Sequence, residues 1–325
     1  MQAFEYANPG TLHEALALLG TKWGETDVLA GGTDQISLMK EYIHTPKRVV
    51  NIKGIKDLHG LHSTGQGLMI GAAVTFDELA SNAVVRSEYP SLHAAVMGVS
   101  SPQMRNMGTA GGDLCQRPRC WYFRRGFGLL AMQDGKSLVT NGDNRYHAIF
   151  GGGPAYFVSA SSLGPALVAL GAKVKLVSAS GQRVVAVEKF FVAPQNESAR
   201  ETALLPNEIL TEIQIPPARG VKNATYEVRQ KEALDWPLVA ASVALHMQGS
   251  TVSKASVVLG HVAPTPWVAE KAGQALAGKS LDDATIEQAA QAAVDGAQPL
   301  SGNEYKVKLA RVAVKRALAE AAGKA

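Results

Sequence analysis

Cysteine is almost missing from this chain: there are two in 325 residues, Cys115 and Cys120. Two thiols exclude a disulfide-stapled scaffold and suit a reducing compartment. No run approaches the roughly 18 consecutive apolar residues that read as a membrane span. The opening stretch, MQAFEYANPGTLHEALALL, lacks the basic-then-apolar order of a secretory signal. These absences predict no membrane span and make the cytoplasm the default location. Charge of one sign is scarce too, since 32 Lys and Arg stand against 28 Asp and Glu. Without a basic stripe or an aromatic platform, no nucleic-acid partner is expected. The eight histidines form neither H-x-x-x-H nor H-E-x-x-H, so no metal site is expected. There is no G-x-S-x-G elbow for a serine nucleophile. Neither G-x-G-x-x-G nor G-x-x-x-x-G-K-[ST] occurs, which leaves the Rossmann and P-loop nucleotide sites without support.

What is present is a soluble-type composition, 46% apolar and 18% charged, on a chain long enough for two or three compact units. Two glycine-rich turns stand out. Val28-Leu29-Ala30-Gly31-Gly32-Thr33-Asp34-Gln35 runs from an apolar stretch into a Gly-Gly-Thr turn. Gly108-Thr109-Ala110-Gly111-Gly112-Asp113 repeats the theme. Glycine lets backbone N–H groups approach an anion closely because no Cβ intervenes. Threonine adds a hydroxyl, and the neighbouring carboxylate can accept from a ribose or from loop amides. Either turn alone is an ordinary loop signal; two of them can converge on one diphosphate.

Patterning divides the chain. Residues 4–6, 27–30 and 49–52 read as strands, with helices at 11–20 and 34–42. Thr11 and Glu14 offer a capping box for the first helix. A second α/β segment has a strand at 68–72 and a helix at 75–81 capped by Thr75 and Glu78. A further helix is expected at 91–98. Residues 154–178 carry strand, turn and helix signals ending in the β-like run 173–177. Ile209–Ile215 alternates as a strand and stops at Pro216-Pro217. Pro216-Pro217-Ala218-Arg219-Gly220 reads as a linker. Beyond it, strands are expected at 224–230, 238–247 and 252–260. Amphipathic helices follow at about 282–296 and 303–322, the last burying Tyr305, Val307, Leu309, Val312, Val314 and Leu318. Residues 116–147, rich in Arg, aromatics and turns, read as an inserted loop rather than core.

The motifs LAGGTDQISLMK (29–40), IGAAVTFDEL (70–79), SPQMRNMGTAGGDLCQ (101–116), YEVRQKEALDWPLVAASVAL (226–245) and LGHVAPTPWVAEKAGQALAGKSL (259–281) carry a resemblance. The chain resembles the FAD-binding medium subunit of the molybdenum hydroxylases, the xanthine dehydrogenase, aldehyde oxidoreductase and carbon monoxide dehydrogenase group. The resemblance implies an α+β architecture: a vanillyl-alcohol-oxidase-type (PCMH-type) FAD-binding fold of two α/β subdomains, then a C-terminal domain of a small antiparallel sheet with helices. The units expected are 1–58, 59–217 with the insertion at 116–147, and 218–325.

The same resemblance implies the cofactor contacts. Val28, Leu29, Ala30, Gly31, Gly32, Thr33, Asp34 and Gln35 would hold the diphosphate, and Thr109, Gly112 and Asp113 would close its other side. Ala73, Val99 and Ser100 would line the adenine and ribose region. Where the family places an Asp in a Ser-Asp-Leu context, this chain has Ser161-Ser162-Leu163, so Ser162 would meet a ribose hydroxyl without charge. Leu210 would pack on the isoalloxazine; its other reading is a plain strand-core leucine. Arg229 and Lys231 fall where a basic residue approaches the flavin, with Lys231 the candidate and a solvated surface the default reading. His147 could approach the flavin or serve as a structural hydrogen-bonding residue.

QRPRCWYFR followed by NRYHAIFG resembles a subgroup that carries a [4Fe–4S] cluster in this insertion. That cluster needs about four thiolates and the segment offers Cys115 and Cys120, so no cluster is expected here. The resemblance implies an oxidoreductase subunit with FAD that relays electrons. A large partner subunit would carry the molybdenum cofactor and oxidise an aldehyde or N-heterocycle such as a purine. A small partner would carry two [2Fe–2S] clusters, and an external acceptor would take the electrons. The runner-up is a self-contained FAD-dependent oxidase or dehydrogenase, and a third reading is a scaffold with a degraded site. Members of the RCWYFR subgroup can also be exported to the periplasm on a partner's signal.

Overall fold

Short apolar runs punctuated by capped helices build three main sheets and a two-stranded hairpin among the described residues. The computed structural model describes residues 1–99, 101–231 and 235–324. The N-terminal sheet joins β1 (Glu5–Ala7), β2 (Thr26–Leu29) and β3 (Arg48–Asn51) in parallel, with β3 in the centre. Parallel neighbours need crossovers, supplied by helices Leu12–Ala17 and Gln35–Lys40. Thr11 caps the first, accepting from the Glu14 N–H at 3.2 Å. The expected capping box does not close, because the Glu14 carboxylate takes the Gly10 N–H at 2.8 Å instead of that of Thr11. This helix ends at Ala17, short of residue 20, where the bonds tighten from Leu18 N–H to Ala15 O and from Leu19 N–H to Leu16 O.

The second unit contributes β4 (Leu61–Thr64) and β5 (Gly67–Gly71). The Thr75–Glu78 capping box forms as read, with Thr75 N–H to Glu78 at 2.7 Å and Glu78 N–H to Thr75 Oγ1 at 3.2 Å. The inserted segment holds the helix Trp121–Arg124 and the hairpin β6 (Met132–Gln133) and β7 (Lys136–Ser137). Its reading as loop rather than core is overturned: Phe123, Leu129 and Leu130 pack with Leu38, Ala155 and Phe157 as a small core. Irregular spacing hid these positions from any periodic pattern. No strand forms at 154–160; the chain runs to the buried helix Gly164–Ala169. The sheet closes with β8 (Lys173–Ser178), β9 (Gly181–Ala186) and β10 (Ile209–Ile215), in the antiparallel order β4-β5-β10-β8-β9.

The third sheet is sequential and antiparallel: β11 (Val221–Val228), β12 (Val239–Gln248), β13 (Thr251–Gly260) and β14 (Trp267–Val268). Helices Glu270–Leu276, Asp283–Ala292 and Tyr305–Ala322 pack beside it. The last helix buries Ala310, Ala313, Val314, Ala317 and Leu318. Tyr305 and Val312, read as core-facing, are 38% and 43% exposed because the inward stripe runs through small alanines. No helix among the described residues is long and apolar enough to cross a membrane.

Candidate functional site

The two glycine turns lie against each other. A Cβ on Gly31 would stand 1.9 Å from the Met107 carbonyl oxygen and 3.2 Å from the Gly108 Cα. Gly32 turns the chain in the left-handed region at φ +71°, where L side chains are strained. Residues of both turns line one cleft that opens beside this contact.

The first turn is rich in donors that lack acceptors. Among the described residues, none of the amides of Gly31, Gly32, Thr33, Asp34 and Gln35 donates to the rest of the chain. The Gln35 side-chain nitrogen Nε2 is buried without a partner. Thr33 and Gln35 both line the cleft. Consecutive unpaired amides of this kind form an anion-binding nest, and a buried polar atom left unmatched costs about 1–3 kcal/mol. A ligand that supplies anionic acceptors removes that cost.

The second turn is committed differently. Ala110 N–H donates to Val74 O at 2.8 Å, Gly111 N–H to Ala72 O at 2.9 Å, and Gly112 N–H to Thr109 Oγ1 at 3.1 Å. It presents surface rather than free amides. Gly111 fits there because a Cβ would meet the Ala72 Cβ at 2.7 Å. Asp113 is buried and braces the neighbouring loop. It accepts from the Ser161 hydroxyl, from the amides of Ser162 at 3.1 Å and Leu163 at 3.0 Å, and from Gln116 Nε2 at 2.9 Å. Burial pushes its carboxyl up to about 6 against these donors.

Asp34 is also occupied. Its carboxylate accepts from the Arg117 amide at 2.9 Å and from Arg124 Nη2 at 2.7 Å, and it pairs with Arg119 Nη2 at 3.2 Å. It therefore staples the inserted segment onto the first turn.

Of the residues read from sequence, the cleft wall brings together Val28, Ala30, Gly31, Gly32, Thr33, Asp34, Gln35, Val99, Thr109, Gly112, Asp113, Ser162 and Leu210. Leu29 and Ala73 are not on it. Ala73 is fully buried in the N-terminal core, and its neighbour Ala72 lines the cleft instead. Lys231 is exposed and off the wall, while Arg229 is tied to Glu227 and to the Gly98 carbonyl. Ser100 lies outside the described residues. His147 is buried away from the wall, with Nε2 3.1 Å from the Cys120 sulfur; burial lowers it to about 4. Cys115 does line the cleft, and burial raises its thiol to about 12.

The wall also includes residues not singled out as cofactor contacts: Arg117, Arg119, Arg200, Trp23 and Trp236. Arg200 stacks on Trp23 at 4.2 Å and Arg119 on Trp236 at 4.7 Å. Arg117 and Arg119 belong to the Arg-rich run already noted, whereas Arg200 carries no sequence signal of its own. The donor set fits a dinucleotide: a glycine nest for the diphosphate, an orphaned amide, cations at Arg117 and Arg119, and an apolar floor at Ile52, Ile209 and Leu210.

Comparisons with known proteins agree with this chemistry. The family described as the FAD binding domain in molybdopterin dehydrogenase matches residues 2–218, and the CO dehydrogenase flavoprotein C-terminal domain matches residues 224–321. The aldehyde oxidoreductase FAD-binding subunit of Escherichia coli (strain K12) is 32% identical, over all of both chains. The carbon monoxide dehydrogenase medium chain of Afipia carboxidovorans is 30% identical over 99% of this chain and 98% of that one. A solved carbon monoxide dehydrogenase from Hydrogenophaga pseudoflava superposes with a TM-score of 0.78 at 28% identity, covering 99% of this chain and 98% of that one.

Proposed function

The chain belongs to the family of FAD-binding medium subunits of molybdenum hydroxylases, and from that premise we propose that its cleft holds FAD and that it relays electrons within a heteromeric complex. It is an oxidoreductase subunit. The observation that carries the cofactor assignment is the run of five amides, Gly31 to Gln35, without acceptors among the described residues. These amides and the Thr33 hydroxyl bind the diphosphate. Gln35 Nε2 donates to the same anion. Val99 and Ser162 face the ribose and adenine part, and Leu210 packs against the flavin ring. Thr109, Gly112 and Asp113 shape the opposite wall rather than donate to it.

FAD, when bound, supplies the exchange between one-electron and two-electron transfer. The chain's residues orient it and exclude water from its buried part. A partner with the molybdenum cofactor oxidises an aldehyde or N-heterocycle, and a partner with [2Fe–2S] clusters delivers the electrons. The inserted segment holds no [4Fe–4S] cluster of its own, because Cys120 abuts His147 while Cys115 faces the cleft. The units are 1–58, 59–217 and 218–325. Two free thiols fit the cytoplasm.

The test uses the purified complex. Stoichiometric FAD is expected, with bleaching of its visible bands by aldehyde or purine only while the molybdenum subunit is present. A colourless complex removes the cofactor assignment; bleaching of the isolated chain by substrate replaces the relay with a self-contained dehydrogenase.

A further inference from the structure

Arg200 is the cation of the cleft that is left over. Arg117 pairs with Glu201, and Arg119 pairs with Asp34. Among the described residues, the Arg200 guanidinium has no ion pair and no hydrogen bond. It lies on the face of Trp23, which is 37% exposed, and both line the cleft. The surrounding charges are accounted for. Asp27 faces His44 at 3.5 Å, Glu201 holds Arg117, and Glu208 holds Arg183 at 2.7 Å. Burial, followed by repulsion from Arg117, lowers Arg200 to about 10, so it stays charged at neutral pH.

Position separates Arg200 from the diphosphate nest. Trp23 precedes β2 and Asp27 lies near its start, whereas the nest follows its end. The span from Thr26 to Ala30 is roughly 13 Å of extended chain. Arg200 lines the same cleft as Leu204, Pro206 and Leu210, and Trp23 beneath it is partly exposed to solvent. A guanidinium with donors to spare beside an exposed aromatic face suits a ligand that pairs an anionic group with a planar one.

We propose that Arg200 and Trp23 form a recognition subsite for an external electron acceptor bearing a phosphate or similar anionic group. The inference rests on the FAD assignment above. It assigns Arg200 to selecting the acceptor, not to retaining the cofactor.

The experiment uses the assembled complex at fixed ionic strength, with NAD⁺ and ferricyanide as anionic-group probes and p-benzoquinone as the neutral one. FAD content is measured first. In Arg200→Gln the KM for the anionic probes, divided by that for p-benzoquinone, should rise about 10- to 100-fold, the usual worth of a charged hydrogen bond. Arg200→Lys should recover part of that ratio. In the unaltered complex, inorganic pyrophosphate should compete with the anionic probes and not with p-benzoquinone, which tests the subsite even if the variants fail to fold. An unchanged ratio, equal competition against all probes, or loss of FAD from Arg200→Gln with the ratio intact overturns the subsite. An unaltered complex without FAD sinks the cofactor assignment instead.

Discussion

Asp113 shows how a residue chosen for one job can hold another. The sequence places it beside a glycine turn, where a carboxylate next to a diphosphate is an easy reading. Its side chain instead accepts from Ser161, Ser162, Leu163 and Gln116. It thereby sets the loop on which Ser162 reaches the cleft. The consequence is measurable because burial lifts the carboxyl from its ordinary 3.8 to about 6. Between those values the folded chain binds more protons at this site than the unfolded chain does. Its contribution to stability therefore falls as pH rises through that window, by about 3 kcal/mol in total. Asp113→Asn cannot titrate, and its amide opposes donors with donors, so it should be less stable than the wild type throughout. The gap in urea-unfolding free energy should narrow by about 2 kcal/mol from pH 4 to pH 7. Parallel curves would mean that Asp113 is already ionised at pH 4.

At the scale of elements, legibility follows amphipathic regularity. Ile209–Ile215 alternates and ends before two prolines, and it is β10 from first to last residue. Strand β9 escaped because its side chains are mostly exposed and give no apolar alternation. The helix Ala110–Cys115 escaped because two of its six residues are glycines, which read as loop. The inserted segment is held through a long-range ionic contact that no local pattern contains. Asp34, in the turn after β2, holds the Arg117 amide and the Arg119 and Arg124 guanidinia. Removing one partner from a largely buried charge cluster costs about 3–5 kcal/mol. Asp34→Ala should therefore speed amide exchange across residues 117–131 by about a hundredfold or more, with β12 and β13 unaffected. Unaltered exchange in the segment would show that its small core around Phe123 holds it unaided.

The whole molecule is less divisible than its Pro216-Pro217 linker implies. The C-terminal core takes Ile149 and Phe150 from the far side of that linker, and Phe150 stacks on Trp267 at 4.9 Å. Ile149 and Phe150 N–H groups both donate to Val262 O, at 2.8 and 3.1 Å, and Gln298 N–H donates to Ile149 O at 2.7 Å. Lys306, almost wholly buried in the last helix, donates to the carbonyls of Tyr146, His147 and His261 at 3.3, 3.1 and 2.6 Å. Arg229 ties the end of β11 to Gly98, on the wall of the cleft. A linker signal reports local backbone chemistry, whereas all of these contacts but Lys306 to His261 join residues more than a hundred positions apart, beyond the reach of any sequence window. Such interlocking makes unfolding of one part strip the other of core residues. The full chain should melt in one transition that coincides by circular dichroism and by release of bound flavin. Lys306→Met leaves the buried His261 carbonyl without its donor, while His147 O keeps Asn303 Nδ2 at 3.1 Å, a loss of about 1–3 kcal/mol for the buried group left unmatched. It should lower the midpoint by several degrees while keeping the two signals coincident. If the C-terminal unit instead melted separately, with flavin release following only the first unit, the segment 144–150 would be a surface contact rather than part of a shared core.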